Sequence, residues 1–512
     1  MAVILSPFEL LKAYSLPLLV LLLVTHFIIN RYGTGLRKVP GPFLASLTDF
    51  WRLYHSYASK GHKDYLLHRQ HNSPILRTGP NTVAIADSEA IRVIYGWKPV
   101  FRKSQIYTTQ AQLSPQGQLV DNLASTMDEQ EHTRITKPVA NSYNMSTMVE
   151  FEPLVDSTSQ EFVRQMTERF VKPGRECRLD QWLQMYAFDV IGEITFSKRF
   201  GFLETGQDIN DMMHHTAKFM TYTGTIGQVP NLDWYFRIKN PLLHILRPTS
   251  NILSFTLKQI QQHEKSPEKN NRDLLSRFIE ARHKFPHIVD DDLLHDYTNT
   301  NVAGGSDTTA IMLRTLVFNI STRKHVLDKL LAEISAAMQA RPRDTDLDAP
   351  ITWAEGLSMP YYQACLKEAM RYHPPTAQIL PRVVPRGGVE FCGFYLPEGT
   401  NVGCNAWTVH RDKKLYGDDA DEFRPERWLE ASSERAKKME ALLFTFGAGK
   451  RACIGKNIAL LEMTKFVPEF FRRFEVRVVD EGRYRITSSW LAVQSGLDVY
   501  LTLRPTESLV GG

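Results

Sequence analysis

The segment of this chain with the most specific chemistry is Phe446-Gly447-Ala448-Gly449-Lys450-Arg451-Ala452-Cys453-Ile454-Gly455, followed by a helical run from Lys456 through Phe466. Glycines at 447, 449 and 455 let the backbone turn tightly and approach a flat ligand that a side chain would obstruct. Cys453 falls just before a helix N-terminus, where free N–H groups and the helix dipole favour a thiolate, and Arg451 adds a cation nearby. A thiolate ligand donates electron density to haem iron and favours O–O cleavage, so the arrangement suits oxygen activation. A lone cysteine is usually a small buried hydrophobe, but the glycines and the cation around this one argue for ligation. The other cysteines, 177, 365, 392 and 404, show no CxxC spacing, which fits a reducing compartment.

A second segment, Ala303-Gly304-Gly305-Ser306-Asp307-Thr308-Thr309, lies inside a helical pattern that runs from Asp291 to Ser321. Each glycine there costs roughly 1 kcal/mol against alanine, so something must offset it. One reading is close approach of a flat cofactor, with the helix opening locally to admit a threonine hydroxyl or a water; the other is helix–helix packing. An acid beside a threonine suits the chemistry, because O–O cleavage needs protons delivered to one oxygen only.

The cysteine segment matches Phe-x-x-Gly-x-Arg-x-Cys-x-Gly at every defined position and so resembles the cytochrome P450 family. Further motifs follow in that family's order: the acid-threonine run at Asp307-Thr308, Lys367-Glu368-Ala369-Met370-Arg371, Trp407-Thr408-Val409-His410-Arg411-Asp412, and Phe423-Arg424-Pro425-Glu426-Arg427-Trp428. The resemblance implies that Cys453 is the axial iron ligand of haem b, with Phe446, Gly304 and Gly305 beside the cofactor. Thr308 would hydrogen-bond bound oxygen and Asp307 would relay protons. Glu368, Arg371 and Arg427 would form a buried network. Arg451, Arg382 and His132 would meet the haem propionates; where relatives carry a further arginine this chain has Thr136, leaving Arg134 or Lys137 to substitute. Tyr107, Ala303, Ile379 and Trp490 would border an apolar substrate pocket built from Lys103–Asn122, Phe219–Tyr235, Thr376–Leu380 and Trp490–Val493. Electrons would come from an NADPH-cytochrome P450 reductase carrying flavins, steered by Lys137, Lys450 and Lys456, since the chain has no convincing dinucleotide fingerprint.

The implied activity is monooxygenation of a medium to large apolar small molecule. The style of the chain resembles fungal microsomal members of the pisatin demethylase type, many of them secondary-metabolite tailoring enzymes. Two alternatives stay open: a haem-thiolate isomerase or dehydratase, which needs no proton relay, and a non-catalytic haem sensor.

These residues need elements to position them. The chain of 512 residues is 43% hydrophobic and 23% charged, enough for a large core. A net charge of +5, dispersed along the chain, gives no case for nucleic acid. Helical periodicity covers Met148–Phe170, Gln181–Ile194, Leu253–His263, Asp273–His283, Asp291–Ser321 and Lys324–Ala340. Strand-like alternation is confined to Ile75–Ile85, Val389–Val402 and the last thirty residues. The expected fold is mainly α with a smaller β portion, a cytochrome P450 fold preceded by one transmembrane helix. We read residues 1–12 as lumenal, 13–30 as the anchor, 31–43 as a basic flank and stiff Pro-rich hinge, and 44–512 as one catalytic domain. No small-x-small site follows Ile29, which argues against a cleaved signal peptide. The charges of Arg31, Arg37 and Lys38 put the catalytic domain on the cytosolic side, as for a single-pass protein of the endoplasmic reticulum membrane.

Overall fold

The computed structural model describes residues 7–97, 101–113, 119–236, 251–265, 273–342, 344–346 and 348–505. The polar stretch Ser266–Arg272 and part of the Lys103–Asn122 loop lie outside them.

The pattern at Asp291–Ser321 becomes one uninterrupted α-helix of 31 residues, started by the Asp290 carboxylate accepting from the Leu293 N–H. At 1.5 Å per residue it is roughly 46 Å long and crosses the whole body. The largely buried helix Leu179–Phe196 packs along it, as do parts of Lys456–Arg473 and Pro360–Tyr372. Phe162, Tyr186, Phe466 and Phe470 interlock between these helices, with ring centroids 4.1 to 6.2 Å apart. Each such buried side chain contributes about 1.5–3 kcal/mol, so this cluster ties the helix after the cysteine to Leu179–Phe196 and Glu152–Met166.

Helix outweighs strand, 59% to 11%, as the mainly α reading requires. The helices match the expected ones to within a few residues, with one exception. Met148–Phe170 is not continuous: a short helix Met145–Val149 ends, Glu152–Met166 restarts with Pro153 in its first turn, and Thr167–Val171 closes as a π turn. Proline is well tolerated in a first turn, where its missing N–H would be unpaired anyway, so Pro153 suits a new helix start.

The larger sheet has five strands in the order Ile75–Gly79, Thr82–Ile85, Asn401–Cys404, Arg382–Val383 and Arg102–Lys103. Its last pairing puts Lys103 directly opposite Arg382. The alternation at Val389–Val402 resolves into a hairpin, Val389–Phe391 with Phe394–Leu396, and the separate strand at 401. Cys392 and Gly393 both have positive φ at its turn, the geometry a two-residue hairpin connection needs. Near the C-terminus, Phe474–Val478 pairs with Asp498–Leu503, and Arg485–Ser488 with Ala492–Ser495.

At the other end, helix Pro7–Tyr32 contains a stretch, Tyr14–Tyr32, that is long and apolar enough to cross a membrane, with none of it buried against the body. The Pro-Gly-Pro segment after it packs against strand Ile75–Gly79, where Arg77 N–H donates to the Pro40 carbonyl at 2.7 Å.

Candidate active site

The cysteine loop is built by its own backbone. Cys453 N–H donates to Phe446 O at 2.8 Å, Gly447 N–H to Phe444 O at 3.0 Å and Ala452 N–H to Gly449 O at 3.1 Å. Gly449 is required twice over: its φ is +63°, and a Cβ there would stand 2.0 Å from the Tyr95 carbonyl oxygen. Phe446 lies half-buried with its ring 5.9 Å from Lys456 Nζ. Cys453 is open to solvent along one side although ringed by protein. Burial raises its thiol above the ordinary value, against the opposing pull of the Gly455 and Lys456 N–H groups and the Lys456 charge. The N–H groups at the helix start thus favour the thiolate, as the dipole argument expects, against the opposing effect of burial.

On the central helix the two glycines part company. A Cβ on Gly304 would meet nothing within 4 Å, whereas one on Gly305 would sit 2.8 Å from Ile191 Cδ1. Gly304 faces open space in the middle of the molecule. Gly305 packs against the neighbouring helix at Ile191; successive residues on a helix point about 100° apart, so the two glycines have different surroundings. The helix does not open either; it stays α throughout, and Thr308 Oγ1 donates to Gly304 O at 2.7 Å with its oxygen exposed. In the haem-free protein Gly304→Ala is thus expected to raise stability by about 1 kcal/mol, while Gly305→Ala costs about 1–3 kcal/mol through overpacking against Ile191. Thermal melting of the two variants side by side checks this.

Asp307 is 5% exposed and accepts a hydrogen bond from Gln184 Nε2 at 2.6 Å. Arg314 donates to Gln184 Oε1 at 2.8 Å and to the Asp180 carbonyl at 2.8 Å. Burial lifts Asp307 to about 6, with the Arg314 charge and the Gln184 hydrogen bond resisting. Its carboxyl therefore changes state within the working range of a cell. It also lines a cavity of about 730 Å³ shared with Gln184, Asp208, His214 and Arg314.

A cluster of cations flanks the cysteine loop. Arg451 pairs with Glu129 at 3.0 Å, yet its Nη1 is buried with no partner. Arg382 is buried, its Nη1 donating to Tyr107 Oη at 3.0 Å. Lys103, which sequence reasoning passed over as a binding residue, is buried opposite it and donates to Ala124 O at 2.6 Å. Burial, then the charges of Arg382 and Arg451, pull Lys103 well below the usual lysine value. Like charges directly opposite on paired strands are destabilising, so this cluster is poised for an anion. His132 lies next to it and is neutral: burial, Arg451 and Lys103 push it down to about 3. Arg134 instead forms a surface pair with Glu131 at 2.8 Å and Lys137 is exposed, so Lys103, not either of them, is the third cation.

The residues present fit haem. A flat, dianionic, soft-ligated group matches a solvent-open cysteine, a glycine whose missing Cβ leaves space, and an orphaned arginine N–H among desolvated cations. Tyr143 ties the two sides together: its hydroxyl donates to Asn301 Oδ1 at 3.4 Å on the central helix, and its carbonyl accepts from Asn457 Nδ2 at 2.9 Å, just beyond the cysteine.

Glu368, Arg371 and Arg427 meet in the interior. Arg371 makes two bonds to Glu368, at 2.9 and 2.8 Å, and Arg427 Nε donates to Glu368 Oε1 at 3.0 Å. Trp428 Nε1 and the Arg424 N–H complete the carboxylate's coordination at 2.9 and 2.8 Å. From Arg371 the network continues: its carbonyl bonds His410 Nδ1 at 3.0 Å, and His410 Nε2 accepts the Phe444 N–H at 2.8 Å, where the cysteine loop begins. Those two bonds assign the proton to Nδ1. Burial pushes His410 down to about 3, so it stays neutral.

Tyr107 and Trp490 stack edge to face at 6.1 Å and pack with Ile106, Ile311 and Leu491. Ile311, one turn beyond Asp307, was not singled out from sequence, although it continues the acid-threonine helix toward the same side. Ala303 is half-buried against the main helical core. Ile379 lines a separate cavity of about 50 Å³ with Trp51, His55 and Gln378.

Comparison with known proteins agrees with this geometry. The Cytochrome P450 family profile matches residues 47–498. The chain is 39% identical over 500 residues to cytochrome P450 monooxygenase cicH of Emericella nidulans, covering 95% of this chain and 98% of that protein. It is 39% identical over 463 residues to a cytochrome P450 monooxygenase of Aspergillus terreus, covering 88% and 92%. Against cytochrome P450 monooxygenase mpaDE of Penicillium brevicompactum it is 35% identical over 504 residues, covering 97% of this chain and 59% of that longer protein.

Proposed function

The chain belongs to the cytochrome P450 family, and from that membership and the geometry above we propose that it is a membrane-anchored haem-thiolate monooxygenase of fungal secondary metabolism, acting on an apolar small molecule. The observation that carries the reading is the pairing of a solvent-open Cys453 with a buried Asp307 and an exposed Thr308 hydroxyl. An isomerase or dehydratase has no use for that acid.

Haem, when bound, supplies the oxygen activation, favoured by electron density from the thiolate. The chain's own residues do the rest. Cys453 would hold the iron. Arg451 through its free Nη1, with Arg382 and Lys103, would neutralise the propionates, and His132 would offer a further N–H. Thr308 would present its hydroxyl, which donates to Gly304 O, toward the same space. Asp307 takes protons from the solvent side and holds them at its carboxyl, oriented by Gln184 and Arg314. Tyr107, Ile311 and Trp490 exclude water and hold apolar substrate. Lys450 and Lys456, exposed on either side of the cysteine in the chain, favour an acidic electron donor, which we take to be an NADPH-dependent flavoprotein reductase. The apolar span Tyr14–Tyr32 and the basic residues after it support an endoplasmic reticulum location with the body on the cytosolic side.

The test is turnover of apolar substrates with NADPH, a reductase and labelled dioxygen. Product carrying one labelled oxygen supports the reading; product formed without NADPH, or NADPH-dependent haem reduction with no product from any substrate, sinks it. Proton delivery gives a sharper check. With Asp307 titrating near 6, coupled turnover should fall as pH rises through that value and the acid form is lost. Asp307→Asn should slow turnover about 100-fold, within the range for a positioned acid, and flatten the profile.

A further inference from the structure

One carbonyl near the end of helix Met212–Ile226 is capped by side chains instead of backbone. The carbonyls of Thr223, Thr225 and Ile226 accept the backbone N–H groups of Gly227, Gln228 and Val229, the kind of partner a helix needs for its last turn. Gly224 O instead accepts from Ser56 Oγ at 2.9 Å, Gln228 Nε2 at 3.0 Å and Gln378 Nε2 at 2.8 Å. Gln378 is the hub of this cap. Its Nε2 also donates to Ser489 O at 2.8 Å and lies 2.9 Å from Ser56 Oγ, while its Oε1 accepts from Gln228 Nε2 at 2.5 Å. Gln378, Gln228 and Ser56 are all buried, and a hydrogen bond lost in such a place leaves an unpaired group that water does not reach.

The Gln378 amide therefore joins segments that are far apart in the chain: helix Phe50–Tyr57, the end of helix Met212–Ile226, the stretch after helix Pro360–Tyr372, and the turn at Ser489 and Trp490 between the last hairpin's strands. Gly224 allows the approach, since a Cβ there would stand 2.1 Å from Trp490 N. Trp490 is held from its other side as well, its carbonyl accepting the Ala377 N–H at 2.9 Å. Its side chain packs with Tyr107, Ile311 and Met220, and Met220 lies one helical turn before Gly224. The bonds at Gln378 thus set how closely the helix end approaches the Trp490 turn, and with it the spacing of Met220 and Trp490. Both hydrogens on Gln378 Nε2 are engaged by protein acceptors, so its influence on a substrate runs through these two side chains. A pocket holds its shape when the residues lining it are themselves locked by a supporting layer of hydrogen bonds.

We propose that Gln378 is a positioning residue that determines which substrates fit, by fixing the separation of Met220 and Trp490 across the apolar pocket. This rests on the reading of Tyr107, Ile311 and Trp490 as the wall of that pocket, and the experiment separates the two. The probes are N-alkylimidazoles from methyl to dodecyl, which ligate haem iron through the ring nitrogen and extend their chains into the space above it. They are titrated on the full-length haem-loaded protein by the shift of the Soret band; no shift with the native protein overturns the haem reading itself. In the native protein affinity rises about fourfold per added methylene until the chain fills the pocket, and then stops rising. Trp490→Ala moves that limit to longer chains, and a limit unmoved by it overturns the reading of the wall. Gln378→Glu sets a carboxylate oxygen against Gly224 O and Ser489 O and so parts helix and turn. The limit then moves to longer chains while the affinity for methylimidazole is kept, which supports the proposal. A limit that stays or shortens in Gln378→Glu while Trp490→Ala lengthens it overturns the proposal, as does a uniform loss of affinity over the whole series, the result of a merely structural role. Gln378→Met, uncharged and of similar length, decides in the same way if Gln378→Glu does not load haem, and failure of both to load haem overturns the proposal by making Gln378 a requirement of the fold.

Discussion

Cys453→Ala abolishes the strongly red-shifted Soret band of the reduced, carbon-monoxide-bound protein and takes turnover to background. The expectation follows from the loop. No second sulfur competes: Cys177, Cys365 and Cys404 are buried, and burial raises each of their thiols. Cys392 lies in the Val389–Leu396 hairpin turn, outside the site. The backbone bonds that shape the loop, from Cys453 N–H to Phe446 O and from Gly447 N–H to Phe444 O, do not involve the sulfur, so the variant should keep its fold. Circular dichroism should therefore be unchanged while the band is lost. A red-shifted band surviving in the variant would mean that another group ligates the iron, and the assignment of Cys453 would be wrong.

Glu368→Gln is the largest expected loss of stability, about 3–5 kcal/mol, the range for breaking a buried ion pair and leaving a charge uncompensated. Glu368 and Arg371 are 0% exposed and Arg427 3%, so no water stands ready to solvate the two guanidinium groups. The matching control is Lys324→Ala, which removes a pair to Asp328 whose side chains are 85% and 53% exposed and should cost no more than about 0.5 kcal/mol. Comparing apparent melting temperatures of the two variants checks the difference. The network also has a pH signature. Burial pushes Glu368 up, but Arg371 and Arg427 hold it below its ordinary 4.5. A depressed carboxylate contributes stability that is complete above the ordinary value and disappears as pH falls through the folded one. The variant should therefore lie furthest below the native protein at neutral pH, and the gap should close in acid. Because His410 links Arg371 to the Phe444 N–H, the same variant should also release haem more readily.

What the sequence determined by itself is what chemistry and local order determine. Cys453 and the acid-threonine pair were readable because each sits in a short run whose residue types have a chemical logic, and the Glu368, Arg371 and Arg427 set because its motifs resemble those of a known family. The helices were readable from periodicity, and the N-terminal candidate span from a largely apolar run. Tertiary structure decided the rest, because it depends on which distant segments meet. Lys103 joins the cation cluster only because strand register sets it opposite Arg382. Gln184 and Arg314 reach Asp307 and each other only because two helices pack side by side. Gly304 and Gly305 are indistinguishable in sequence, and the position of Ile191 makes one a packing residue and leaves the other facing space. Arg77 reads as one more strand residue until the end of helix Pro7–Tyr32 meets its guanidinium. A motif can encode which groups react, because reactivity is a property of side chains; where those groups point is set by pairing and packing across the whole chain, and no local pattern contains it.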